Sequence, residues 1–197
     1  MLLVALLVPV AWLLGTFPSA LLVARAKGHD ITKEGSGNPG TSNVIRVLGP
    51  RAGALVLATD VAKGALAAGV GLAAGGRAGA FVLGIAAVLG HTFPIYRRKG
   101  GKGVATAGGW LLVTFPAVAA ILLGVWLAVV GLTRKASLGS IVITVLFPVL
   151  AAAFGYPGVE VAFLCVVAAF VLVLHRGNIV RLVRRQEHDL FGSPADQ

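Results

Sequence analysis

Long apolar runs separated by short polar gaps organise this chain of 197 residues. A helix crossing a hydrocarbon layer ~30 Å thick, at 1.5 Å per residue, needs about 20 apolar residues. Residues 2–24 meet that requirement, with Pro9 and Pro18 expected to kink the helix. Residues 52–74 and 78–96 form two further stretches, and 138–154 and 159–174 two more, parted by a turn-like Gly-Tyr-Pro-Gly at 155–158. The segment 104–132 is too long for one crossing and short for two. Parity decides: the basic clusters at 97–102 and 134–135 belong on one face under the positive-inside rule, so the chain crosses an even number of times between them. Pro116 is the natural break. Residues 104–115 and 116–132 are therefore read as separate short helices, the first only about 18 Å long and able to lie half embedded. The pattern predicts an all-α, polytopic membrane protein of seven transmembrane helices, N-terminus outside and C-terminus cytoplasmic. One domain, 1–197, is expected.

Charge follows the same division. Hydrophobic residues make up 57% of the chain and charged ones 12%, with a formal net charge of +10; mean hydropathy is +0.92. That is more apolar than a soluble fold needs. Every Lys and Arg except Lys63 and Arg77 falls in a polar gap that the topology puts on the cytoplasmic side. The gaps are too short to build a nucleic-acid-binding domain, so the basic excess is read as topogenic and as anion-binding, with no nucleic-acid partner. The single Cys165 lies in an apolar run, which leaves no disulfide framework and no Cys metal site. Neither a metal nor a cofactor is expected. The first apolar run lacks a positively charged leader and reads as a retained anchor. No internal repeat is visible.

The motifs that look chemical all sit in the gaps. Gly35-Ser36-Gly37-Asn38-Pro39-Gly40-Thr41-Ser42-Asn43 opens a segment able to turn helical through Arg46. Its glycines permit the backbone conformations that gather N–H groups round an anion, and Ser36, Asn38, Ser42 and Asn43 add side-chain donors. An ordinary flexible connection is the competing reading. The spacing superficially matches a nucleotide-binding loop, but Thr41 stands where that motif needs Lys. Arg97-Arg98-Lys99-Gly100-Gly101-Lys102-Gly103 would place backbone donors, a helix dipole and a cation together just before a helix. Asp60 and Lys63, at i, i+3 in an apolar stretch, are expected to form a structural ion pair. His91 closes the third stretch, where a packing role competes with a chemical one. Ser137 follows Arg134 and Lys135 at a helix start, where it reads as an N-cap first and a ligand second. His175 and Asn178 lie one helical turn apart and suit a hydroxyl or a phosphate, or a simple interfacial role. Arg181, Arg184 and Arg185 continue the tail with spacing suited to anionic headgroups. No serine-hydrolase elbow and no Cys–His pair is present.

In these gaps the chain resembles the bacterial integral-membrane acyl-phosphate:glycerol-3-phosphate acyltransferase family. The matching stretches are residues 35–43 with Arg46, Asp-Val-Ala-Lys-Gly at 60–64, residues 90–106, Ser137, and His-Arg-Gly-Asn-Ile-Val-Arg-Leu at 175–182. The resemblance implies transfer of a fatty acyl group from acyl phosphate to the 1-position of glycerol 3-phosphate. Lysophosphatidic acid and inorganic phosphate would be the products, with no acyl-enzyme, as a first step of bacterial phospholipid synthesis at the cytoplasmic (inner) membrane. It assigns the acyl phosphate to Ser36, Gly37, Asn38, Gly40 and Asn43. It assigns glycerol 3-phosphate to Arg46, Lys102, Ser137, His175 and Asn178, with Lys102, His175 and Asn178 as the catalytic group. A monomer in the bilayer is expected. The departures are Thr41-Ser42 for the usual Ala-Thr, Arg97-Arg98 for more apolar residues, and Arg185 where Gly is common before Glu187. A phosphate or organic-anion transporter is the alternative, but its sites should lie at the bilayer midplane between repeats. A structural scaffold leaves the glycines unexplained.

Overall fold

The computed structural model describes residues 1–191, which among them contain helices, turns and loops but no strand. Backbone contacts group the chain into two compact units, Met1–Thr114 and 115–191, each described by itself.

The first unit contains α1 (Leu2–Gly15), α2 (Ser19–Arg25), α3 (Thr41–Leu48), α4 (Pro50–Thr92) and α5 (Val104–Thr114). The two prolines of the first apolar run act differently. Pro9 is carried inside α1, whereas Pro18 (φ −87°, ψ 55°) ends it and caps α2. α4 is 43 residues long, interrupted at Gly75 and Gly76, where Gly76 takes φ 62°, ψ −153°. That backbone is open to glycine and hostile to L-side chains. On either side of the break Gly71 and Gly79 meet, and a Cβ on either would strike the other's carbonyl oxygen. The helix therefore doubles back as a hairpin with two arms, matching the expected stretches 52–74 and 78–96. The second arm stops at Thr92, short of the expected end at Tyr96. Phe93 precedes Pro94, whose ring disfavours the helical region for the residue before it, and Phe93 adopts φ −123°, ψ 69°.

Small residues make the helix contacts. A Cβ on Gly64 would collide with the Thr106 carbonyl, and one on Gly109 with the Val61 carbonyl, so α4 and α5 touch backbone to backbone. Gly15 against Ala87 and Gly90 against the Trp12 carbonyl do the same for α1 and α4. Trp110, fully buried, lays its indole on the open side of Gly84. Between apolar helices in an apolar solvent, burial of hydrocarbon supplies little attraction, and close van der Waals approach takes its place.

The second unit contains α6 (Pro116–Thr133), α7 (Ala136–Ala153), α8 (Gly158–Leu174) and α9 (Arg176–Val183). Its first residue, Phe115 (φ −142°, ψ 57°), breaks the chain before Pro116, at the proline expected to part 104–115 from 116–132. The Phe115 ring meets Phe147 and Tyr156 edge-on at centroid distances of 5.3 and 4.6 Å. By length and composition four segments could cross a membrane: 2–25, α4, α6 and α7. The α8–α9 pair, bent by 62°, would make a fifth, and α5 is a shorter apolar helix.

Gly64→Ala should destabilise the folded protein by about 1–3 kcal/mol, the usual cost of forcing atoms into a packed contact. Gly69→Ala, one turn and a half away with open space around its Cβ position, should be neutral or gain up to about 1 kcal/mol in helix propensity. Unfolding in detergent of the two variants beside the parent checks this. Equal stability of the two variants would contradict the packing.

Candidate anion-binding site

The 35–43 loop is built round one amide. Asn43, in the first turn of α3, is 1% exposed. Its Nδ2 donates to the carbonyls of Ile31 (3.1 Å) and Glu34 (2.9 Å), and its Oδ1 accepts from the Ser36 N–H (2.8 Å) and from Arg46 Nη1 (3.1 Å). The contact from Ser36 demands that Gly35 lie against Asn43; Gly35 (φ 56°) and Gly37 (φ 67°) hold left-handed conformations. The same fold uses up the donors expected to cradle an anion. Gly37 N–H donates to the Glu34 carbonyl (3.0 Å) and Gly40 N–H to the Asn38 carbonyl (2.9 Å). What the loop offers a ligand is therefore the start of α3. The first N–H groups of a helix have no intrahelical acceptor, and the Thr41 hydroxyl beside them is buried with no hydrogen-bond partner. Arg46, 9% exposed, stands one turn further in.

The second glycine loop is pinned to the end of α4. Gly100 N–H donates to the Thr92 carbonyl (2.8 Å) and Gly101 N–H to the His91 carbonyl (3.2 Å). These two amides thus finish α4 and are not the anion donors the sequence suggested. Lys102 and the start of α5 follow directly, and the hydroxyls of Thr92 and Thr106 are buried there without partners. A narrow cleft brings the two glycine loops together, lined among others by Pro39 of the first and Gly100 and Gly101 of the second, with Tyr96 and His91. Burial pushes the Tyr96 phenol above its ordinary value, with Arg97 opposing, so it stays a donor.

Beneath the cleft lies a buried polar cluster. Lys63 Nζ is 2.9 Å from Asp60 Oδ1, 3.2 Å from the Phe17 carbonyl oxygen and 3.0 Å from His91 Nδ1. Ser19 Oγ donates to the same Asp60 oxygen at 2.7 Å. The expected Asp60–Lys63 pair is present, and two partners invisible in the sequence, Ser19 and the Phe17 carbonyl, join it from the α1–α2 break.

In the second unit Ser137 occupies the first turn of α7, its hydroxyl buried and without a partner. It caps no helix; Lys135 is the residue at the N-cap. His175 (2% exposed) sits at the α8–α9 bend. Its Nδ1 lies 2.8 Å from the Val171 carbonyl, which can only accept, so Nδ1 carries a proton. Asn178, buried on α9, donates from Nδ2 to Glu187 Oε1 at 2.8 Å. Glu187, which sequence reasoning passed over, is 6% exposed and also accepts from Arg181 Nε at 2.9 Å. Arg181 is thereby tied to this carboxylate through Nε. Lys135 Nζ bonds the Glu187 carbonyl and the Asp189 carboxylate, and Leu190 N–H reaches the Arg134 carbonyl (2.7 Å), folding residues 187–190 back over the α6–α7 link. The return begins at Arg185, whose φ of 57° is left-handed. That accounts for the Gly common there in the resembling family; Arg pays about 1–2 kcal/mol for the same turn.

A sequence model described as glycerol-3-phosphate acyltransferase matches residues 5–185. A glycerol-3-phosphate acyltransferase of Bacillus velezensis is 38% identical over 94% of this chain and 96% of its own length. Glycerol-3-phosphate acyltransferase 2 of Moorella thermoacetica is 42% identical over 92% of this chain and 94% of its own. Among solved structures, PlsY (YgiH), an integral membrane glycerol 3-phosphate acyltransferase, in its glycerol 3-phosphate form superposes with a TM-score of 0.90, 38% identity and 96% coverage of both chains. Its lysophosphatidic acid form gives a TM-score of 0.87, with 37% identity.

Proposed function

The chain belongs to the glycerol-3-phosphate acyltransferase family, and from that premise we propose that it acylates the 1-hydroxyl of glycerol 3-phosphate to lysophosphatidic acid, taking the acyl group from acyl phosphate and releasing inorganic phosphate. The observation that carries the reading is the near-full-length likeness to an acyltransferase solved with glycerol 3-phosphate. Acyl phosphate as donor is supported by the start of α3, where helix N–H groups and the unpartnered Thr41 hydroxyl lie together.

In this reading Ser36 and Asn38 meet the acyl phosphate while Gly37, Gly40 and Asn43 give the loop its shape. Arg46, Lys102, Ser137, His175 and Asn178 take glycerol 3-phosphate. The unpartnered Ser137 hydroxyl suits a phosphate oxygen, and the His175 ring, fixed through Nδ1, suits a substrate hydroxyl. Two dianions repel, and clustered cations offset that repulsion while alignment supplies proximity. Acyl phosphate is already activated, so no covalent intermediate is needed. The hydroxyl oxygen attacks the acyl carbon, the C–O bond to phosphate breaks, and the leaving phosphate takes the hydroxyl proton. Among the described residues Ser19 is the one serine that donates to a carboxylate, and the Asp60 oxygen it meets is also held by the Lys63 ammonium. No cofactor enters. We read 1–197 as one monomeric domain in the bacterial cytoplasmic membrane. It crosses seven times, the two arms of α4 counting separately and α5 as the short crossing, with the N-terminus outside and the site facing the cytoplasm.

Purified protein given acyl phosphate and glycerol 3-phosphate should yield lysophosphatidic acid, and acyl-CoA should be a poor donor. Lys102→Ala and Arg46→Ala should each lose roughly ten- to 150-fold in kcat/KM, the worth of one charge-assisted contact of about 1.5–3 kcal/mol. Near-parental kinetics in both would move the anion sites elsewhere. Radiolabelled acyl phosphate alone should leave no stoichiometric adduct on intact mass; an adduct on Ser19 or Cys165 that chases into product would overturn direct transfer. In a Cys165→Ser background, single cysteines at Lys99, Arg134 and Arg184 should label from the cytoplasm and one at Gly158 from outside. Lys99 and Arg134 on opposite faces would end the seven-crossing topology.

A further inference from the structure

We propose that His91 is a further catalytic residue, a neutral donor whose Nε2–H takes the carbonyl oxygen of the acyl donor as that oxygen becomes negative. The inference rests on the acyl-phosphate reading above and names a residue that reading leaves unassigned. The tautomer follows from hydrogen counting. Lys63 has three hydrogens and three acceptors around it: Asp60 Oδ1 (2.9 Å), the Phe17 carbonyl (3.2 Å) and His91 Nδ1 (3.0 Å). An ammonium beside a carboxylate holds its proton, so Nδ1 accepts, and the ring hydrogen resides on Nε2.

Nε2 is turned away from that cluster. It packs on the open side of Gly101, where any Cβ would collide with it, and among the described residues nothing accepts its hydrogen. The side chain is 8% exposed and that exposure opens into the cleft. The cleft runs from the glycine loops at Pro39, Gly100 and Gly101 to an apolar wall at Phe17 and Leu21. An acyl phosphate has the same order of parts: an anionic head, a carbonyl, then a chain. In the transfer step the hydroxyl oxygen bonds to the acyl carbon and the carbonyl pair moves onto oxygen. The pair then returns as phosphate leaves with the hydroxyl proton. His91 gives a hydrogen bond throughout and no proton. Lys63 and Asp60 act through it, as positioning residues that keep Nδ1 occupied. A preorganised neutral donor of this kind is a known way to stabilise a developing oxyanion.

His91→Ala should lower kcat about 100- to 1000-fold, the usual loss for one oxyanion donor, with KM for both substrates changed by less than about threefold. His91→Gln, whose side-chain amide can reach the Nε2 position, should recover at least about tenfold of that loss; His91→Asn, whose shorter amide cannot, should not. Thermal unfolding in detergent of all variants accompanies the kinetics, and if His91→Ala does not fold, the Gln–Asn comparison carries the test. The inference is overturned by a kcat within about threefold of the parent, or by a raised acyl-phosphate KM at unchanged kcat, which would put the contact on the phosphate. It is equally overturned by a Gln variant no better than Ala or Asn, which would make the ring a packing element. A parent enzyme that makes no lysophosphatidic acid from acyl phosphate sinks the donor assignment itself, an outcome distinct from an intact parent with an indifferent His91.

Discussion

Asp60 and Lys63, at 1% and 3% exposure, hold three separate stretches of the first unit at one point. A charge buried in apolar surroundings costs several kcal/mol unless it is paired and its remaining hydrogen-bonding capacity is met. Each partner of the pair satisfies that requirement by reaching out of its own helix. Asp60 accepts from Ser19 at the start of α2. Lys63 donates to the Phe17 carbonyl, which is available because Pro18 interrupts the helix there. It also donates to His91, at the far end of the other arm of α4. The α1–α2 break, the first arm and the second arm are therefore placed relative to one another by a single ammonium group. The second glycine loop and the cleft depend on that placement. The 100–103 loop is attached to the carbonyls of His91 and Thr92, and the cleft opens beside it.

Glycine serves two purposes here that the sequence does not separate. In helices it is absence of volume: Gly64, Gly71, Gly79 and Gly109 allow backbone to touch backbone. In loops it is backbone freedom: Gly35, Gly37 and Gly76 hold positive φ. The loop glycines were expected to donate their own N–H groups to an anion, yet those of Gly37, Gly40, Gly100 and Gly101 bond within the protein. Their contribution is indirect. They allow the chain to close tightly against the first turn of a helix.

The helices were legible because period and length are properties of neighbours in sequence. The breaks at Gly75–Gly76, at Phe115 and at the 155–158 turn coincide with residues whose backbone chemistry announces a stop. Pro116 marked the break within 104–132 that a window of hydropathy could not place. The end of the second α4 arm was misplaced at Tyr96 because hydropathy continued past Phe93 while the following proline had already ended the helix. Of the candidate residues, Asn43, Arg46, Ser137, His175 and Asn178 could be picked out from the polar gaps, but what each contacts could not. Asn43 reads as a donor to a ligand, and the structure commits its amide to the loop. Ser19 and Glu187 were missed since their partners, Asp60 for one and Asn178 with Arg181 for the other, are set by folding and leave no spacing to read.

The few acidic residues explain how a chain with a formal charge of +10 keeps its cations in order. Asp60 fixes Lys63, Glu187 fixes Arg181 and Asn178, and Asp189 fixes Lys135. Asp30 and Glu34 stitch the 29–34 turn, where hydrogen bonds from Thr32 hold the Asp30 carboxyl below its ordinary value. Each of these carboxylates is thus engaged locally in orientation. Neutralising the surface evenly would have needed many more acids and would have cancelled the positive field at the polar gaps. Spending a handful of them as anchors leaves that field intact while the side chains that must point a particular way are made to do so. For Asn178 the consequence is specific. With Nδ2 held by a buried carboxylate, the orientation of its amide is set before any ligand arrives, and the entropy of choosing it is not charged to binding.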